Sequence, residues 1–91
     1  MAEVIVTLKI MPSSPDADLV RIEAESKKII EKFGGEIGKK EIEPIAFGLN
    51  ALKLIIIYDE KKGSTDALEA SISEVDDVNS VEVTDCRRAI G

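Results

Sequence analysis

The stretch Pro44-Ile45-Ala46-Phe47-Gly48-Leu49-Asn50-Ala51-Leu52-Lys53-Leu54-Ile55-Ile56-Ile57 decides the fold. In its second half, Leu52, Leu54, Ile56 and the following Tyr58 alternate with Ala51, Lys53, Ile55 and Ile57, so both faces are apolar over most of the run. A strand apolar on both faces belongs in the middle of a sheet. The first half is a loop punctuated by a proline and a glycine, with one aromatic ring between them.

Working back from the loop, Glu36 to Glu43 places Gly38, Lys39, Lys40 and Glu41 between Ile37 and Ile42. A charged segment of this kind suits a solvent-exposed edge strand, because charge discourages pairing with other chains. Before it, Leu19, Ile22, Ile29, Ile30 and Phe33 recur at helical steps, with Glu23, Lys27, Lys28 and Glu31 largely off that stripe. Ser13-Ser14-Pro15-Asp16 offers a capping serine, a proline at the first helical position and an acid for the helix dipole. Gly34-Gly35 ends the helix through left-handed geometry. At the start, Val4, Val6, Leu8 and Ile10 alternate with Ile5, Thr7, Lys9 and Met11 in a strand that Pro12 stops.

Working forward, Asp59 to Gly63 is a charged turn, and Ser64 with Asp66 supplies a cap and a first-turn acid for a second helix with the stripe Leu68, Ile72 and Val75. Asp76-Asp77 interrupts it. Val78 to Cys86 is a last strand, with Val81 and Val83 inward and Glu82 and Thr84 outward, and residues 87–91 form a short tail. The order strand, helix, strand, strand, helix, strand is the split β-α-β pattern of ferredoxin-like domains. Right-handed crossovers then place both helices on one face of an antiparallel four-stranded sheet, with the first and third strands central. The expectation is an α+β two-layer sandwich forming a single domain over residues 1–91.

Composition narrows the function. The chain has 44% hydrophobic and 33% charged residues, no membrane-length apolar run and no secretory leader ahead of the first strand, which points to the cytoplasm. The single Cys86 cannot form an internal disulfide. The net charge of −6 is concentrated between Gly63 and Cys86, where seven acids meet no Lys or Arg. With three aromatic residues, Phe33, Phe47 and Tyr58, this argues against nucleic-acid binding, which wants a basic track and stacking rings. A basic or mixed protein partner is electrostatically easier.

Nucleophilic catalysis lacks a base, since there is no histidine. Cys86 beside Arg87 and Arg88 reads first as a small apolar filler and only second as a reactive thiol. There is no C-x-x-C, and paired acids such as Asp76-Asp77 and Asp59-Glu60 read as solvated caps, so neither metal nor cofactor is expected. Phe47 remains. Its local composition by itself favours burial, while large aromatics flanked by small residues also serve as anchors of protein interfaces.

The loop Pro44-Ile45-Ala46-Phe47-Gly48-Leu49, the opening Ile5-Val6-Thr7-Leu8-Lys9-Ile10-Met11-Pro12 and the segment Val78-Asn79-Ser80-Val81-Glu82-Val83 resemble, in register, the translation elongation factor 1-beta family in its short archaeal form. The resemblance covers essentially the whole chain. It implies a monomeric guanine-nucleotide exchange factor for the elongation factor 1-alpha GTPase, promoting GDP release without covalent chemistry and contacting neither nucleic acid nor membrane. It further implies partner contacts at Pro44, Phe47, Gly48 and Asn50 in the loop and at Arg87 and Arg88 near the C-terminus. Phe47 is then the anchor, and Arg88 stands where the family has a lysine that approaches the GTPase's magnesium site. Asn50-Ala51 replaces two lysines of the eukaryotic members. A second expectation, from the fold pattern alone, is a regulatory domain that pairs edge to edge and binds a metabolite. The charged segment Lys39-Lys40-Glu41 counts against it. An acylphosphatase-like enzyme ranks third, because its phosphate-binding loop and arginine are missing.

Overall fold

In the computed structural model, which describes residues 3–89, the doubly apolar run becomes β3 (Asn50–Asp59), hydrogen-bonded on both sides. Before it come β1 (Glu3–Pro12), α1 (Leu19–Phe33) and β2 (Glu36–Pro44), and after it α2 (Asp66–Ser73) and β4 (Val78–Ala89). The sheet order is β2-β3-β1-β4 and every neighbouring pair is antiparallel. β1 and β3 are central and the charged β2 lies at one edge, as the burial pattern of the sequence requires.

One face of the sheet carries Val6, Leu8, Ile10, Leu52, Leu54, Ile56 and Tyr58 into a single cluster with Ile22 and Ile30 of α1 and Leu68 and Ile72 of α2. Each fully buried aliphatic side chain contributes about 1.5–3 kcal/mol, so this layer dominates stability. Phe33 and Tyr58 close one end of the cluster edge to face, with ring centroids 5.2 Å apart. The opposite sheet face is only half covered by its own side chains. There Lys9 and Lys53 share Glu43 at 3.5 and 4.0 Å.

Three local details depart from the sequence reading. The first helix does not begin at Ser13-Ser14-Pro15; those residues form a turn, and Asp18 is the cap. Its carboxylate Oδ1 accepts from the N–H groups of Val20 and Arg21 at 3.0 and 3.2 Å, satisfying two helix-end donors with one ionised group. In α2 the capping position is Thr65 and not Ser64; the Thr65 hydroxyl donates to Glu69 at 2.9 Å, while Ser64 Oγ accepts from the Asp66 N–H at 3.4 Å.

The third departure concerns the C-terminal end. Arg87 and Arg88 are not tail but strand, opposite Ile5 and Val4, because β1 still has backbone groups to pair there. A bulge opposite the step from Thr7 to Leu8 absorbs Thr84 and shifts the register. Cys86 is exposed and not an apolar filler, since β4 is an edge strand whose far end the helices leave uncovered. Ile90 and Gly91 lie outside the described residues.

Candidate partner-binding site

β2 and β3 form a hairpin whose last ladder pair is Pro44 with Asn50. The Ile45 N–H donates to the Leu49 carbonyl at 2.7 Å and closes the loop; within it the Leu49 N–H donates to the Ala46 carbonyl at 3.4 Å. From Pro44 to Leu52 no residue is charged, in a chain that is one-third charged. At the tip, Phe47 has φ 63° and ψ 30°, and Gly48 follows with φ 76°. Glycine takes left-handed geometry freely, which explains Gly48.

Phe47 is 93% exposed. A left-handed residue with a Cβ costs about 1–2 kcal/mol, and a phenyl group left in water forgoes about 1.5–3 kcal/mol of burial. The second loss is not recovered within the fold. Asp77, the other non-glycine residue with positive φ among the described residues, is a useful contrast. Its carboxylate accepts from Arg21 at 2.7 Å and its carbonyl accepts from the Ser13 N–H at 2.8 Å, so its conformation serves the turn into β4. Phe47 and Gly48 are the central pair of the tight turn that the Leu49 N–H closes on the Ala46 carbonyl, so the left-handed backbone serves the hairpin; what the fold leaves unused is the phenyl ring, at a position that glycine or asparagine would fill with less strain. Local composition favoured a buried Phe47. The exposed alternative is the observed one, because the hairpin extends beyond the end of the helical layer.

The arginines occupy the other end. Arg88 Nη2 meets both carboxylate oxygens of Glu60, at 3.0 and 2.9 Å. In the sequence Glu60 read as a solvated turn acid, with no part in the partner contact. It reaches Arg88 because it follows β3 just beyond Tyr58, which pairs with Val4, which pairs with Arg88. Arg87 pairs with Ile5 and so faces the other side of the sheet, where its Nε donates to Asp85 at 2.9 Å. The candidate residues therefore do not gather at one point. Pro44, Phe47, Gly48 and Asn50 share one end, and Arg88 lies level with Val4. From Val4 to Ile10, which is level with Leu52, is already roughly 20 Å at about 3.3 Å per residue, and Phe47 lies further out. Two shallow grooves, one along α1 and one between α1 and α2, contain neither Phe47 nor Arg88. The candidate site protrudes.

The sequence profile described as the EF-1 guanine nucleotide exchange domain matches residues 5–89. The chain belongs to that family. Exchange-domain relatives named elongation factor 1-beta include one from Methanothermobacter thermautotrophicus, 46% identical over 90 residues that cover 97% of this chain and 98% of the relative. Another, from Halobacterium salinarum, is 41% identical over 88 residues, covering 97% and 99%. Among solved structures, the exchange domain is similar to the ACT domain of a GTP pyrophosphokinase from Chlorobium tepidum, with TM-score 0.63, 18% identity and coverage of 89% and 85%. It is also similar to LarC2, the C-terminal domain of a cyclometallase, with TM-score 0.60, 13% identity and coverage of 99% and 58%. At such identities these two establish the ferredoxin-like fold of the exchange domain and nothing of its function.

Proposed function

We propose that this chain accelerates the exchange of GDP for GTP on elongation factor 1-alpha, in the cytoplasm, as a monomer and a single domain. It does so by binding the GTPase, with no bond made or broken. The observation that carries the reading is Phe47, an exposed ring in strained backbone at an uncharged hairpin tip, within a chain whose family is an exchange domain. No described helix is long and apolar enough to cross a membrane.

The thermodynamic requirement is differential affinity. The factor must bind the nucleotide-free GTPase more tightly than the GDP-bound form, and linkage obliges it to weaken GDP by the same ratio. A thousandfold weakening needs about 4.1 kcal/mol of such difference. Phe47 supplies an apolar anchor, with Pro44, Gly48 and Asn50 shaping the contact around it. Arg88, at the far end of the sheet, supplies a cation that competes with magnesium for the field of the phosphates. Arg87 adds a rim contact from the opposite face. Because the two ends are more than about 20 Å apart, the sheet acts as a stiff spacer between two separate places on the GTPase.

The deciding experiment follows release of labelled GDP from purified elongation factor 1-alpha. Acceleration by catalytic amounts of this chain is the expected result. An unchanged release rate sinks the reading.

A further inference from the structure

Among the described residues, three large apolar side chains stand mostly in water: Phe47, Val20 at 76% and Ile42 at 54%. They come from a loop, a helix and an edge strand, and all three belong to one end of the molecule. Ile42 lies two residues before Pro44, where the hairpin loop begins. Val20 is in the first turn of α1. The Lys40 ammonium and the Glu23 carboxylate, 2.8 Å apart, bind α1 to β2 and set the level of one against the other. From Glu23 back to Val20 is about 4.5 Å along the helix axis, and from Lys40 on to Ile42 is about 6.6 Å along the strand. Both steps lead toward the Phe47 end, because α1 starts there and β2 finishes there. Val20 and Ile42 are therefore nearly level, at the foot of the hairpin. The loop is also close to the approach to α1, since a Cβ built on Gly48 would stand 4.0 Å from Pro15 Cβ.

Folding does not explain either residue. Val20 lies off the buried stripe of α1, and Ile42 sits among the charged residues of an exposed edge. The neighbouring charges on the helix-side face are matched within the chain, Glu23 with Lys40 and Arg21 with Asp77. An apolar centre inside a rim of internally paired charges is the anatomy of a protein interface.

We propose that Val20 and Ile42 join Phe47 in one apolar docking patch, and that its occupant is an uncharged, apolar cleft on the GTPase, which takes the ring in its depth and the two aliphatic side chains on its shoulder. The inference rests on the exchange reading and extends it to residues on α1 and β2. Continuity with the loop selects this occupant over a second copy of the chain. Three side chains alone fall well short of the roughly 800 Å² per partner that a stable complex buries, so the patch serves as one part of the larger contact that the loop and Arg88 make with the GTPase.

The test combines Val20→Ser with Ile42→Thr, both at exposed positions, the second keeping a β-branched residue in the strand. Calorimetry measures binding to nucleotide-free elongation factor 1-alpha, and a thermal melt checks the fold. Binding about tenfold weaker with an unchanged melt is expected, and adding Phe47→Ala should cost less than the product of the separate losses, because neighbours in one patch are coupled. Full affinity in the double variant, with Phe47→Ala still defective, overturns the patch and leaves the exchange reading standing. If the unsubstituted chain itself fails to bind, both fall. If it sediments as a dimer that the double variant breaks, the surface belongs to a second copy and the proposal is overturned.

Discussion

Arg88 and Glu60, 28 residues apart, form an exposed ion pair in which one guanidinium nitrogen reaches both carboxylate oxygens, at 3.0 and 2.9 Å. The cation assigned to the GTPase is thus already engaged within the chain. Exposed pairs are worth about 0.2–1 kcal/mol, so the internal pair competes with the partner only modestly. Glu60→Gln should raise the rate of GDP release at low salt by up to about fivefold, and the difference should vanish in about 1 M salt, where the screening length is about 3 Å. Arg88→Ala should abolish most of the acceleration at either salt concentration, with the thermal melt unchanged. A Glu60→Gln variant with release slower than the unsubstituted chain would instead mean that Glu60 orients Arg88 for its contact.

Phe47 sets stability against function. Phe47→Gly relieves the left-handed strain and should stabilise the fold by about 0.5–1 kcal/mol in urea denaturation, while removing the anchor. Phe47→Ala keeps the strain and should leave stability within about 0.5 kcal/mol. Both variants should lose at least about tenfold in affinity for the GTPase. A stabilised variant that has lost binding is the behaviour expected where function has been kept at the expense of stability.

Ser26 is a polar residue fully buried in the apolar stripe of α1, and its hydroxyl has no hydrogen-bond partner among the described residues. Ser26→Ala removes that stranded group and substitutes a better helix former. The expected gain is about 0.5–1.5 kcal/mol, or several degrees in the midpoint of a thermal scan. A loss of stability on this substitution would show that the hydroxyl is satisfied in solution.

Tyr58 makes the fold sensitive to alkali. Burial pushes its phenol above the ordinary value of 10.0, and Cys86 adds to the push. The neutral phenol is the form favoured when folded, so its contribution is fully present below the unfolded-state value and is lost as pH rises through the folded-state one. Urea midpoints measured at about pH 9 and about pH 11 should fall less for Tyr58→Phe than for the unsubstituted chain. An equal fall in both would remove Tyr58 from the cause.

Periodicity alone carried much of the architecture. The two apolar faces of Leu52 to Tyr58 demanded a central strand, and the charges of Lys39 to Glu41 demanded an edge. The start of α1 was harder to read, because Ser13, Ser14, Asp16 and Asp18 are all plausible caps. Only the path of the chain leaving Pro12 selects Asp18. Arg87 and Arg88 looked like tail because charge resembles a terminus, yet a strand continues wherever its neighbour still offers backbone groups.

The sequence by itself determined the fold, the family and the identity of the loop, because hydrophobic spacing and the Pro44 to Leu49 motif are local properties of the chain. Tertiary structure alone decided that Phe47 stands exposed, that the loop and Arg88 lie at opposite ends of the sheet, that Glu60 holds Arg88, and that Val20 and Ile42 stand at the foot of the loop. These depend on strand register and on the packing of α1 against β2, which join residues distant along the chain, and no local pattern encodes their relative placement.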